Sequence, residues 1–242
     1  AAATVVEPEP AAESTAKKVL ASSDYLAPHT CFPRTVRFLS CPSYRKRTLH
    51  GLAISVGGIT ESTTKAAGAS LLTHVGSLSP SERTELSSDL VTLLSENAST
   101  PRVHLPLMRT AQHLLEARAL EPILGLPIGG NGADETTTLA SHLIDAIKPS
   151  SRSKDVPTLL VASSLLILLL PHATGKRAPD AWRTIVLLLA HRFPKVRKAA
   201  ADQLYVHLLT YGDPGDLPPM ATADATPNGT TAAATPEEEA AA

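Results

Sequence analysis

The stretch Trp182–Asp213, WRTIVLLLAHRFPKVRKAAADQLYVHLLTYGD, constrains the fold more than any other. It holds two helical patterns separated only by the break at Phe193-Pro194. In the first, Trp182, Ile185, Val186, Leu189 and Phe193 recur at helical spacing; in the second, Val196, Ala200, Leu204, Leu208 and Tyr211 do. Pro194 cannot continue the first helix, because its ring clashes with the preceding turn, but it suits the first position of the second. Gly212 stands where a C-cap glycine would. Two amphipathic helices so closely joined must fold back on each other, and no pair can bury its stripes without a neighbouring pair. The expectation is an all-α, HEAT- or armadillo-like solenoid.

The upstream chain repeats the pattern. Pro42 opens a helix carrying Leu49, Leu52 and Val56, which Gly57-Gly58 end as C-cap glycines, and a second helix runs from about Ser62 to Val75. Ser79-Pro-Ser-Glu82 is a capping box ahead of Leu86, Leu90, Val91 and Leu94. Thr100-Pro101 starts another helix, with Pro106 expected to delay regular structure, and Met108, Ala111, Leu114 and Leu115 on one side. After a loop from Glu121 to Glu135, Leu139, Leu143, Ile144 and Ile147 mark a helix that stops at Pro149. Asp155 caps the next helix, read as fully buried, which precedes the last pair. The sum is roughly four helical pairs of about 40 residues each.

The ends read differently. Residues 1–18 are too poor in apolar bulk to order themselves, although Lys17–Ser22 suggests a short helix; a further helix is expected from Arg34 to Ser40. Residues 19–212 are expected to form the helical domain. Residues 213–242 are an Ala/Thr/Pro tail with six acids and no base, expected to be disordered. Removing that tail turns a net charge of −1 into 22 bases against 17 acids, or +5. That is too weak a balance for a nucleic-acid partner.

Other chemistry is poorly supported. The run from Val156 to Pro171 contains Pro157, Ser163 and Ser164 and falls short of the roughly 20 apolar residues of a membrane span. No signal peptide opens the chain, and the first residue is not Met, as in a partial or processed chain. Cys31 and Cys41 could form one bridge, but a lone pair in a chain this size fits reduced cytosolic thiols. IGGNGADE lacks the Lys-Ser/Thr of a phosphate loop, and Ser62-Thr-Thr-Lys65 lacks its companion catalytic motifs. None of the nine histidines sits in a His-Glu-x-x-His pattern; His191 and His207 read as core or boundary residues. Asn97-Ala-Ser99 is a glycosylation sequon that a cytosolic chain would never use. No enzyme, cofactor or metal site is expected.

Two basic clusters are left: Arg45-Lys46-Arg47, and Arg192 with Lys195, Arg197 and Lys198. They are either solvated helix ends or anion-facing patches for an acidic partner. Cations at the start of a helix oppose its dipole, which favours a counter-ion or a partner there.

PKVRKAAADQL resembles the second helix of a HEAT repeat, in which the Arg of the Val-Arg pair braces a neighbouring repeat; Arg197 is then structural, with Leu204, Pro194, Gly57 and Gly58. More specifically, HGLAISVGGITEST (His50–Thr63), RVHLPLMRTAQHLLE (Arg102–Glu116) and the Trp182–Asp213 stretch, in that order, resemble the C-terminal domain of tubulin-specific chaperone D. The resemblance implies a cytoplasmic chaperone of the microtubule cytoskeleton. Its partners would be β-tubulin, cofactors E and C and an Arf-like small GTPase, in an assembly that builds or recycles the αβ-tubulin dimer and stimulates GTP hydrolysis by tubulin. It supplies no catalytic residues. A generic HEAT scaffold for protein–protein interaction is the other reading.

Overall fold

A computed structural model describes residues 27–126 and 138–212. Within them lie α1 (Pro28–Thr35), α2 (Pro42–Val56), α3 (Glu61–Ser77), α4 (Pro80–Glu96), α5 (Pro101–Glu116), α6 (Leu139–Ile147), α7 (Val156–Leu169), α8 (Arg177–Leu189) and α9 (Pro194–Tyr211). No β-strand forms among the described residues. The helices pair as α2/α3, α4/α5, α6/α7 and α8/α9. The first members, α2, α4, α6 and α8, stack in one row, and α3, α5, α7 and α9 in a second. α1 lies on α3 and extends the second row, while the 3₁₀ turn Val36–Ser40 covers α2.

Local sequence accounts for most helix ends. Ser79 Oγ accepts the Glu82 N–H at 3.3 Å, and Glu82 Oε2 accepts the Ser79 N–H at 2.9 Å, closing both halves of the capping box. Asp155 Oδ2 accepts from Thr158 N at 3.1 Å and starts α7. Thr138 does the same for α6 through Ser141 N. Pro194 occupies the first turn of α9, and Gly212 ends it at φ +83°. Apart from Thr158, Ser163 and Ser164, α7 is apolar, because α5 and α9 flank it within its row while α6 packs against it from the other. Leu159, Ala162, Leu165, Leu166 and Leu169 are all fully buried. None of the helices among the described residues is long and apolar enough to cross a membrane.

Several expectations are corrected. The segment from Arg34 to Ser40 is not one helix: Pro28 opens α1, and the chain tightens into a 3₁₀ turn from Val36. Pro106 does not delay α5, which runs from Pro101 straight through it. Gly57 does end α2 as its C-cap, its N–H donating to Ala53 O at 2.9 Å, but at φ −83° it is not left-handed. A Cβ at Gly57 would stand 2.3 Å from Pro106 Cα and 2.6 Å from Pro106 O, so glycine is there for close approach. Gly58 would meet only carbonyls of the preceding turn, at 3.1 and 3.2 Å. On the last pair both stripes are rotated. Val186 and Tyr211 are exposed, Leu204 and Leu208 half-buried, and Ala181, Thr184, Leu188 and His207 join Ile185, Val196 and Ala200 in the buried positions. Leu204 is therefore not the centre of its face. The expected helix at Lys17–Ser22, the glycine-rich run from residue 128 and the acidic tail lie outside the described residues.

Candidate functional site

The motif patches His50–Thr63 and Arg102–Glu116 fold onto each other as the α2–α5 contact. Beside the Gly57–Pro106 approach, Arg109 Nη1 donates to Gly57 O at 3.0 Å and Thr110 Oγ1 to Ala53 O at 3.2 Å. The Arg109 bond caps a carbonyl just past the end of α2, where the helix has no donor of its own to offer. Gly68 makes a similar approach on α3, where a Cβ would fall 2.8 Å from His113 Nε2. The residues that make these patches distinctive thus lock two helical pairs together.

The first basic cluster is largely consumed by the fold. Arg45 Nη1 lies 2.6 Å from Glu85 Oε2 and its Nε 2.6 Å from Asp89 Oδ2, both on α4. Burial works against the Arg45 charge, but the bonds to Asp89 and Glu85 outweigh it and its pKa is raised. Lys46 Nζ reaches Glu96 Oε1 at 2.7 Å. Arg45 and Lys46 therefore staple α2 to α4 and do not stand free for a partner; of this trio Arg47 is the exposed one. Further along the same row, Arg177 Nε bonds Asp145 Oδ2 at 2.9 Å and Lys148 Nζ bonds Asp180 Oδ2 at 2.6 Å, tying α6 and its following turn to α8.

The second cluster stays at the surface. Lys195 and Lys198 are exposed at the start of α9, whose first turn holds no acidic residue. The Arg192 guanidinium lies 4.6 Å from the centre of the Phe193 ring. Arg197 does not brace a neighbouring repeat. Its Nη1 donates to His191 O at 2.9 Å and Arg192 O at 3.3 Å, tightening its own α8–α9 turn.

An exposed apolar surface on the last pair escapes the sequence reading. Among the described residues nine large hydrophobic side chains are exposed, and six of them (Val186, Leu187, Tyr205, Val206, Leu209 and Tyr211) lie on α8 and α9, so the uncovered apolar area gathers there. The signal in the sequence is that the last pair carries more apolar residues than one stripe per helix can hold. A groove of about 460 Å³ runs between α7 and α9, with Ile167, Leu168, Val206, His207 and Tyr211 among its walls. His207 is buried beside Trp182 and Tyr211, at ring separations of 6.4 and 4.9 Å, and burial lowers its pKa. Gln203 Nε2 donates to Ser164 Oγ at 2.6 Å, leaving Gln203 Oε1 buried without a partner.

Among the described residues, no group of three or more His, Cys, Asp or Glu side chains could hold a metal ion. Cys31 and Cys41 are free thiols. Lys65 of the Ser-x-x-Lys pattern pairs with Glu61 at 2.7 Å on an exposed turn. What the surface offers is contact area, apolar on the last pair and cationic beside it.

In comparison with known families, the model described as tubulin folding cofactor D C terminal matches residues 6–156, more than half of the 242-residue chain. Both interlocking patches fall inside the match, and the Trp182–Asp213 stretch falls outside it.

Proposed function

The chain belongs to the tubulin folding cofactor D C-terminal family, and from that premise we propose that it is a holding module that binds β-tubulin during assembly or recycling of the αβ-tubulin dimer. A tubulin-folding role follows from the family itself. The finer reading is supported by the last helical pair, which sets exposed apolar residues beside the exposed cations Lys195 and Lys198. Apolar area supplies affinity for a client whose own apolar surface is uncovered, and the cations steer an acidic protein toward it. The module contributes contacts and no chemistry. Cofactors E and C and an Arf-like small GTPase complete the proposed cytoplasmic assembly, and stimulation of GTP hydrolysis by tubulin belongs to that assembly.

A pull-down of the full chain with β-tubulin and cofactor E, against an unrelated acidic protein, tests the proposal. Selective capture of β-tubulin is expected. Charge reversal at Lys195 and Lys198 should slow association in a salt-dependent way and leave helicity unchanged. Equal capture of the unrelated acidic protein would reduce the module to a generic HEAT scaffold.

A further inference from the structure

A separate cleft of about 210 Å³ opens in the first row, between the 3₁₀ turn Lys148–Arg152 and α8. Its walls carry Lys148, Arg152, Arg183 and His191, one carboxylate, Asp180, and the apolar Leu187. Lys148 is committed to Asp180 at 2.6 Å, and that hydrogen bond holds the Asp180 carboxyl below the usual range, with a smaller pull from Arg183. The Lys148–Asp180 pair therefore neutralises itself. Arg152 and Arg183 are both exposed and enter none of the ion pairs of the described residues. His191 also lines the cleft, its Nδ1 accepting the Phe193 N–H at 3.2 Å, which leaves Nε2 as the ring nitrogen open to a ligand. Leu187, 65% exposed, supplies an apolar wall beside these donors.

We infer that this cleft is a docking site for an acidic segment of a partner protein, in which carboxylates pair with Arg152 and Arg183 while a neighbouring apolar side chain rests on Leu187. Two planar guanidiniums with free N–H forks match the geometry of Asp and Glu carboxylates. The cleft runs along the side of α8, from Asp180 in its first turn to His191 just beyond its end. A carboxylate carried on a chain gains the apolar contact that phosphate cannot make. The site takes an acidic segment whichever protein bears it, and so goes beyond the tubulin-folding reading; it shares Leu187 with the exposed apolar surface of the last pair but no residue with the Lys195 and Lys198 patch.

Fluorescence anisotropy of the full chain with a fluorescein-labelled peptide of repeated Glu-Glu-Leu tests the assignment. Saturable binding that weakens with salt is expected, falling at least about tenfold in the Arg152→Glu, Arg183→Glu double variant. Leu187→Ser should weaken it by a smaller factor, and reversal of Lys195 and Lys198 should change it less than about twofold. Circular dichroism checks that helicity is kept; should the reversal disturb it, Arg152→Gln with Arg183→Gln carries the same expectation with a smaller fall. Unchanged binding by the double variant, equal binding of a Gln-Gln-Leu peptide, or full displacement by inorganic phosphate at constant ionic strength would overturn the inference.

Discussion

Gly57→Ala sets local helix preference against tertiary packing. Alanine is the better helix former, and Gly57 has φ −83°, which alanine adopts freely, so the local effect alone is a gain of ~0.4–1 kcal/mol. Against it, the new methyl would sit 2.3 Å from Pro106 Cα, 2.6 Å from Pro106 O and 2.7 Å from Pro106 Cβ. Carbon atoms prefer separations of about 3.5–4.0 Å, so α2 and α5 must part by more than about 1 Å. The first two obstacles belong to backbone that no rotamer change can move. Overpacking of this kind costs ~1–3 kcal/mol, and strain on the Arg109–Gly57 and Thr110–Ala53 bonds each adds up to ~0.5–1.5 kcal/mol. The net expectation is a loss of ~2–4 kcal/mol, or a fall in melting temperature of about 5–15 °C for a domain of this size. Gly51, on the same helix, is the internal control, since a Cβ there would meet nothing within 4 Å. Gly51→Ala should stabilise by ~0.5–1 kcal/mol. Thermal and urea unfolding followed at the helical circular-dichroism band read both. A Gly57→Ala midpoint at or above wild type would refute the close-approach argument.

Leu143→Ala, at a fully buried α6 site, should cost ~2–5 kcal/mol, whereas half-buried Leu204→Ala should cost about half as much; equal shifts in urea midpoint would contradict the rotated α9 face. Arg118 follows the end of α5 with φ +55°, a left-handed backbone that side chains resist, so Arg118→Gly should raise stability by ~0.5–1 kcal/mol in the same assay. Burial lowers the pKa of His74, His104 and His207 below their ordinary 6.5. Below that value the unfolded chain binds protons that the folded one refuses, so stability should be full above about pH 6.5 and decline as the pH falls through it. His207→Gln should flatten that decline in melting temperature between neutral and mildly acid pH, and an unchanged slope would show that His207 is not protected.

Sequence periodicity alone determined the helical class, the pairing and most helix boundaries. Pro42, the Ser79–Glu82 box, Pro101, Asp155 and Pro194 each act on their own turn, so their effects can be read without knowing any neighbour. Tertiary structure decided the rest, because the deciding partners are distant in the chain. Only the packing of α2 on α5 gives Gly57, the cap of α2, its second role as a contact surface against Pro106. The charges were equally undecided: Arg45 and Lys198 each stand in a basic run, yet Arg45 meets Glu85 and Asp89 across the row while Lys198 stays exposed. Which face of α8 and α9 is buried depended on where α7 lies, and the apolar residues that α7 could not cover are the ones left at the surface.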